Sequence, residues 1–340
     1  MKQGIPEFER IICAFIKQSY AFDVSSYEFI PVGDSAFSYI VVSTAFERRY
    51  LKVFDTSTQK GILGVEQLRG YIPLMIELKE SNLFPYLPQP HYTVSGDMQC
   101  SIGRFVCVLF EYIDGETLAD AYPFSDEIQT SMAIGLAKLH TVPLKSLHAQ
   151  VASETYGVDF GERLQANLEC LASYKDNDPF ILELQSIVLP RLKLIHRFWQ
   201  QLCEQRERVL QSSHELVLCH GDLWGGNIMH QTNRQLVFLD WENTIVAPIE
   251  RDFFSYIGSE YATFRLAYAE ERQIDLSLNP DMVAFYAYRH QLRNLNQWLH
   301  NILNENFGDE QKQNDLEMIE FHCLDRWASV EEMVGQLYKE

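Results

Sequence analysis

The stretch Leu218-Cys-His-Gly-Asp-Leu-Trp-Gly-Gly-Asn227, followed by Leu236-Val-Phe-Leu-Asp240-Trp-Glu242, decides how this 340-residue chain is interpreted. It contains the pattern H-x-D-x-x-x-x-N at His220, Asp222 and Asn227, and Asp240 ends the apolar run that follows. The adjacent Gly225 and Gly226 let the chain turn before Asn227. The segment predicts two short strands joined by a turn. It carries three oxygen-bearing side chains, those of Asp222, Asn227 and Asp240.

These side chains are the groups that phosphoryl transfer requires. One carboxylate must accept a hydrogen bond from the attacking hydroxyl, and Asp222 is predicted to be this catalytic residue. Mg²⁺ prefers hard oxygen ligands, so Asn227 and Asp240 are the predicted metal ligands. His220 is predicted to support the loop by hydrogen bonding rather than to act as a base. The alternative is an ordinary strand–turn–strand without chemistry.

The residues before this segment alternate between short β-like runs and helical patterns. Apolar spacing predicts a helix over 6–19 and a second helix over 64–79. Runs rich in Tyr, Phe, Val and Ile predict strands over 27–31, 37–43, 49–54, 91–95 and 104–112. Residues 20–112 are therefore expected to form a mainly antiparallel sheet with one inserted helix.

The remainder of the chain is mainly helical in pattern. Helices are predicted over 126–140, within 161–212 and from about 251 onward, and β-like runs at 216–219 and 236–239 interrupt them. The predicted fold class is α+β, with an antiparallel N-terminal lobe over residues 1–113 and a mainly helical C-terminal lobe over residues 114–340.

Composition narrows the set of partners. The chain has 28 Lys and Arg against 47 Asp and Glu, a formal net charge of −19, so we expect no nucleic-acid partner. The charge favours a cationic ligand, although an acidic surface can also do no more than keep the protein soluble.

The cysteines and the apolar runs bear on the location of the chain. Seven cysteines without C-x-x-C spacing predict free thiols of a reducing compartment rather than a disulfide framework or zinc site. With no signal-peptide layout and no apolar run approaching about 18 residues, a cytoplasmic chain without a membrane partner is predicted.

The quoted residues resemble the aminoglycoside phosphotransferase and choline kinase family of protein-kinase-like small-molecule kinases, and within it the spectinomycin phosphotransferase type. The family's H-G-D-x-x-x-x-N loop matches His220 to Asn227, and its D-W-E element matches Asp240 to Glu242. Its Pro-x-x-x-Asp pattern resembles Pro248 to Asp252, which makes Asp252 a supporting residue. The resemblance implies a bilobed protein-kinase-like fold and Mg²⁺-dependent phosphorylation of a small-molecule hydroxyl with ATP or GTP.

The family also implies a lysine that grips the nucleotide phosphates and pairs with a helix glutamate. Lys52 lies in a strand-like run and is the residue expected to do this. Glu66 is its expected partner, and Glu77 is the alternative. An ordinary lysine at a strand edge remains the other interpretation of Lys52.

Two further nucleotide contacts follow from the resemblance. Ser35, in the turn over residues 32–37, is expected to approach the nucleotide, although a plain hairpin would account for the same residues. Backbone groups of Glu111 and Ile113 are expected to bind the purine edge at the family's hinge. The N-terminal lobe is thus interpreted as the nucleotide-binding lobe, and the C-terminal lobe as the carrier of the catalytic loop, metal site and acceptor pocket.

The acceptor is expected to be a small, cationic molecule such as an aminoglycoside-like antibiotic. Acidic residues that follow Asp252 are candidates to receive ammonium groups, and nearby aromatic residues are candidates to pack on the acceptor. The acids are Glu260, Glu270, Glu271, Asp275 and Asp281, and the aromatics are Tyr256, Tyr261, Tyr268 and Trp298. A solvated helix face and core packing are the alternatives for these two sets. A metabolic kinase for choline, a sugar or an amino alcohol, a non-catalytic pseudokinase, and a non-enzymatic binding protein remain alternative functions.

Overall fold

The computed structural model describes residues 4–31, 36–305 and 308–339, and the chain forms two compact units. The first unit comprises Met1–Ser153, Leu216–Ala247 and Thr263–Ile274, and the second comprises Glu154–Glu215, Pro248–Ala262 and Asp275–Glu340. The lobe boundary after residue 113 falls inside the first unit. It therefore stays a prediction about functional lobes and does not mark the limit of a compact unit.

The first unit begins with a five-stranded sheet in which every neighbouring pair is antiparallel. The strand order is β1-β2-β3-β5-β4. The strands are β1 (Val24–Ile30), β2 (Phe37–Ser43), β3 (Arg48–Asp55), β4 (Cys100–Ile102) and β5 (Phe105–Glu111).

Apolar side chains of this sheet pack against two N-terminal helices, α1 (Pro6–Glu9) and α2 (Ile12–Tyr20). Phe8 is fully buried and lies 5.3 Å from Phe105, measured between ring centroids. The long helix α3 (Gln59–Glu80) follows β3, and the Thr58 hydroxyl caps its first turn by accepting from the Gly61 N–H at 3.0 Å. The N-terminal part is thus an antiparallel sheet with helices packed on it.

The rest of the first unit carries short strands around the motif segment. They form two small antiparallel sheets, one of β6, β8 and β9 and one of β7 and β10. Two helices, α4 (Asp126–His140) and α9 (Ala262–Arg272), complete these elements, and Ser125 caps α4. The strands are β6 (Gly115–Thr117), β7 (Val217–Cys219), β8 (Ile228–Gln231), β9 (Leu236–Phe238) and β10 (Ile245–Ala247).

The second unit is helical in its described residues. Helix α10 (Pro280–Asn304) packs against α5, α7 and α11, and Phe198 stacks on Trp327 with 4.1 Å between ring centroids. The other helices are α5 (Phe160–Ser173), α6 (Pro179–Val188), α7 (Leu192–Gln211), α8 (Glu250–Phe253), α11 (Asp309–Phe321) and α12 (Trp327–Leu337).

The predicted fold class is confirmed, since the N-terminal part is an antiparallel sheet and most of the remainder is helical. The strand predicted over 91–95 is wrong: the Thr93 N–H donates to the Asp97 carbonyl at 2.8 Å, and Gly96 adopts a φ of +85°. This turn replaces the strand because its hydroxyl side chains bond locally. Within the described residues, no helix combines the length and hydropathy that a bilayer crossing would need.

Candidate active site

The loop between β7 and β8 owes its shape to one glycine near its start. Gly221 has a φ of +82°, in the left-handed region that favours glycine. A Cβ at this position would also collide with the backbone carbonyl oxygen of Asn243. Gly225 and Gly226 do not have positive φ; Gly225 is needed because a Cβ there would meet the carbonyl of Leu118.

His220 connects this loop to the end of β9. Its side chain is fully buried, and Nε2 lies 2.7 Å from the Leu239 carbonyl oxygen. The ring meets that of Trp241 edge to face, with 5.3 Å between centroids. Leu239 directly precedes Asp240, so His220 couples the β7–β8 loop to the predicted metal ligand.

Asn227 fixes the orientation of Asp222. Its Nδ2 donates both to the Asp222 carbonyl oxygen at 2.9 Å and to the Asp222 carboxylate oxygen Oδ2 at 3.1 Å. Both protons of the amide nitrogen are therefore directed at Asp222. The amide oxygen Oδ1 of Asn227 makes no hydrogen bond within the described residues and is left as a ligand atom.

Asp240 lies beside Asn227 at one end of the hairpin formed by β8 and β9. The Leu239 N–H donates to the Asn227 carbonyl at 2.8 Å, one residue beyond the last strand pair, Ile228 with Phe238. Asp240 itself has a φ of +58°, an uncommon conformation for a residue with a side chain. Such strain is concentrated at functional sites, where the surrounding structure maintains it.

Lys52 of β3 binds two carboxylates of this segment. Its Nζ lies 2.7 Å from Asp240 Oδ1 and 2.9 Å from Glu242 Oε1. Burial opposes the charge of Lys52, but the neighbouring carboxylates and tyrosines outweigh it and hold the pKa of Lys52 well above its usual range. Burial alone would raise the pKa of Asp240. The charge of Lys52 outweighs burial, so the pKa of this carboxyl lies below its usual value.

The prediction that Lys52 pairs with a glutamate of α3 is therefore wrong. Glu66 is exposed on α3, and Glu77 is occupied by the N–H groups of His148 and Ala149, each at 2.8 Å. The buried face of α3 instead presents Tyr71, whose pKa is raised by burial, an effect that the nearby charge of Lys52 opposes.

Glu242 was missed as a lysine partner. Its only sequence signal was a second acid two residues after Asp240.

The remaining predicted nucleotide contacts differ in what the structure offers. The Glu111 N–H is already donated to the Gln89 carbonyl at 2.8 Å, whereas the backbone of Ile113 makes no hydrogen bond within the described chain. Ser35 lies outside the described residues. Asp252 is 3% exposed and lies in α8 of the second unit.

The acidic stretch after Asp252 consists mostly of solvent-exposed side chains. Glu260, Glu270, Glu271 and Asp275 are exposed, and Asp281 is held by Arg208 at 3.1 Å. Of the aromatic candidates, Tyr256 and Tyr268 are core residues at 2% and 0% exposure, whereas Tyr261 and Trp298 are half-buried.

The oxygen donors of the first unit fit a hard divalent cation. Asn227 contributes an amide oxygen without a hydrogen bond in the described part of the chain, and Asp240 and Glu242 contribute two carboxylates that share the ammonium of Lys52. This set contains no thiolate or imidazole and therefore suits Mg²⁺ better than a soft metal.

A comparison with protein families agrees with this chemistry. The model of the phosphotransferase enzyme family matches residues 26–295, which include Lys52 and the stretch from His220 to Glu242. The chain belongs to this family. The prediction of a phosphotransferase that acts on an alcohol group is confirmed at the level of this phosphotransferase family. A search of curated proteins gives no match.

Solved structures of other phosphotransferases share the fold. A spectinomycin phosphotransferase in complex with ADP and spectinomycin has a TM-score of 0.77 at 16% identity, covering 97% of this chain and 98% of that one. An aminoglycoside phosphotransferase from Alicyclobacillus acidocaldarius has a TM-score of 0.62 at 14% identity, with coverages of 100% and 98%. An ethanolamine kinase from Plasmodium vivax has a TM-score of 0.59 at 14% identity, with coverages of 96% and 92%.

Replacing Gly221 by alanine is expected to destabilise this phosphotransferase more than backbone strain alone would. Gly103 has a φ of +56°, and no described atom lies within 4 Å of the place that a Cβ would take, so Gly103→Ala is the matched control. Left-handed backbone strain alone costs about 1–2 kcal/mol, so Gly221→Ala should exceed this value because of the collision with Asn243. Denaturant unfolding measures both variants, and equal losses would contradict the close approach.

Proposed function

We propose that this phosphotransferase transfers the terminal phosphoryl group of ATP or GTP to a hydroxyl of a small, cationic molecule, with Mg²⁺. The observation that carries the proposal is the Asn227–Asp222 pair, which lies in the same compact unit as the Lys52–Asp240–Glu242 cluster. The first pair offers an oriented carboxylate for the acceptor. The cluster offers oxygen ligands and a cation for the nucleotide phosphates.

Asp222 is the group that meets the acceptor hydroxyl. Its carboxylate is oriented by the Asn227 amide, and Gly221 allows the backbone conformation that precedes it. An oriented carboxylate at hydrogen-bond distance positions the hydroxyl and takes its proton as the phosphoryl group is transferred. His220 acts through position only, by tying the loop to Leu239.

The variant Asp222→Asn is expected to lose about 10²–10⁴-fold in kcat, because an amide keeps the size of the side chain but cannot accept the proton. Nucleotide affinity should stay within a factor of about two, since the groups assigned to the nucleotide are unchanged. Asp176→Asn, at an exposed aspartate of the second unit, is the matched control. A wild-type kcat in Asp222→Asn would remove Asp222 from the reaction.

Asn227 and Asp240 would hold Mg²⁺ through Oδ1 and a carboxylate oxygen. When bound, the ion neutralises charge on the nucleotide phosphates. Lys52 would contact the same phosphates, and its present carboxylate partners hold its ammonium close to the metal ligands. The backbone of Ile113 is available for the purine edge.

Removing one metal ligand is expected to raise the Mg²⁺ concentration needed for half-maximal rate by about tenfold or more, because even the loss of a residue that only hydrogen-bonds a metal ligand typically costs about 10–100-fold in metal affinity. The variants are Asn227→Ala and Asp240→Asn, with Asn233→Ala as the control at the opposite end of the β8–β9 hairpin. Chelation of divalent ions should abolish turnover in the wild type. An unchanged Mg²⁺ requirement in both ligand variants would refute the assigned metal site.

The net charge of the chain and its similarity to solved small-molecule kinases both support a cationic acceptor. The net charge of −19 attracts cations over long range. The solved structures include a spectinomycin phosphotransferase and an ethanolamine kinase. Because most acids of the stretch over 260–281 are exposed, they would attract a cationic acceptor from solvent rather than bind it in close contact. A metabolic kinase for an amino alcohol is the second candidate, favoured by the likeness to the ethanolamine kinase.

An acceptor panel tests both candidates. The release of nucleoside diphosphate is measured with spectinomycin, an aminoglycoside, ethanolamine, choline and a neutral polyol, each over a series of salt concentrations. We expect an amine-bearing acceptor to be preferred and its KM to rise with salt, because exposed charges are screened over about 8–10 Å at physiological ionic strength. Equal use of the polyol without a salt effect would reject the cationic acceptor and leave phosphoryl transfer intact.

A further inference from the structure

Two cysteines of the first unit lie directly opposite each other in the antiparallel pair of β4 and β5. Cys100 is the register partner of Cys107, and the two strands are joined by the short turn at Gly103 and Arg104. Opposite residues of antiparallel strands have Cα atoms about 4.5–5.5 Å apart. A disulfide spans about 4.4–6.8 Å between Cα atoms, so the separation expected from this register lies in the range that a disulfide needs.

The two thiols have different surroundings. Cys107 is fully buried against the sheet core, and burial raises the pKa of its thiol well above the usual range. Cys100 is half-buried at the wall of an open cavity of about 950 Å³, whose lining includes Phe15, Ser19, Arg69 and Met98. A small molecule in this cavity can therefore reach Cys100, whereas Cys107 is buried and is not part of the cavity lining.

The Cys100 thiol has polar neighbours. It donates to the Cys107 carbonyl oxygen at 3.9 Å, and the Tyr20 hydroxyl donates to the same oxygen at 3.3 Å. The neighbouring Cys107 thiol, with smaller contributions from Ser19 and Tyr20 and opposed by burial, lowers the pKa of Cys100 to about 7. A thiol with a pKa near the ambient pH is the best attacking thiol in disulfide exchange.

We propose that Cys100 and Cys107 form a reversible dithiol site that reacts with low-molecular-weight disulfides entering the cavity beside β4. This site is independent of the phosphoryl-transfer assignment. Both cysteines are free thiols in this structure, and disulfides that form in reducing compartments are usually transient.

The reaction has two balanced steps. The Cys100 thiolate attacks one sulfur of R–S–S–R, forms the mixed disulfide Cys100–S–S–R and releases the first R–S⁻. The Cys107 thiol then loses its proton and attacks the Cys100 sulfur, which forms the Cys100–Cys107 disulfide and expels the second R–S⁻. The two thiol protons end on the two R–SH molecules, and the two electrons lost by the dithiol reduce R–S–S–R.

Oxidised glutathione is the probe, and peptide mass spectrometry of the full-length protein is the measurement. Trypsin cleaves after Arg104, so Cys100 and Cys107 fall in separate peptides, 80–104 and 105–138, each with a single cysteine. We expect these two peptides to become joined with the loss of two hydrogens, and dithiothreitol to separate them again. Unjoined peptides at full oxidant exposure, or a lasting glutathione adduct on Cys100 of the wild type, would overturn the proposal.

Cysteine variants test which thiol attacks the probe and which thiol then closes the disulfide. Cys107→Ser should retain a glutathione adduct on peptide 80–104, because the second thiol is missing. Cys100→Ser should leave peptide 105–138 unmodified, because Cys107 is buried. Cys170→Ser, at an exposed cysteine of α5 in the second unit, is the matched control and should form the Cys100–Cys107 disulfide as the wild type does. Loss of that disulfide in Cys170→Ser would contradict the pairing, and the wild-type result stands even if Cys107→Ser does not fold.

Discussion

The ion pair from Lys52 to Asp240 joins two residues 188 positions apart and is the interaction on which the site depends. Lys52 belongs to β3 of the five-stranded sheet, whereas Asp240 and Glu242 follow the β8–β9 hairpin. One ammonium compensates one of two carboxylate charges, so the cluster keeps a net negative charge that a divalent cation balances in the proposed function. Because the side chains of Lys52 and Glu242 are largely buried, removing one partner would leave an uncompensated charge away from bulk water.

The β7–β8 loop is held beside that cluster by backbone hydrogen bonds and backbone conformation as well as by side-chain packing. Gly221 provides a positive φ beside the Asn243 carbonyl, and His220 ties the loop to Leu239. The Leu239 N–H in turn binds the Asn227 carbonyl, which sets Asp240 next to Asn227. The positions of the proposed base and metal ligands are therefore consequences of one connected set of hydrogen bonds to the backbone.

The N-terminal sheet serves two separate chemistries in these proposals. The strand β3 carries Lys52, and its neighbour β5 carries Cys107, which pairs across to Cys100 of β4. Val53, next to Lys52, is the register partner of Cys107. The proposed dithiol site and Lys52 therefore lie on neighbouring strands, although each has its own contacts.

The sequence by itself predicted an antiparallel sheet followed by a mainly helical remainder, because periodicity and residue chemistry are local properties, but it placed a strand over 91–95 where the structure has a turn. Asp222, Asn227 and Asp240 were predicted as site residues from their residue types and spacing together, and β2 was predicted from its run of β-branched and aromatic residues. Only the tertiary structure decided which side chains meet Lys52, since Glu242 comes from a segment far away in sequence and Tyr71 from the buried face of α3, while Glu66 faces solvent. It also assigned the left-handed glycine to Gly221 and placed Cys100 opposite Cys107, because φ angles, strand register and burial arise from contacts between segments.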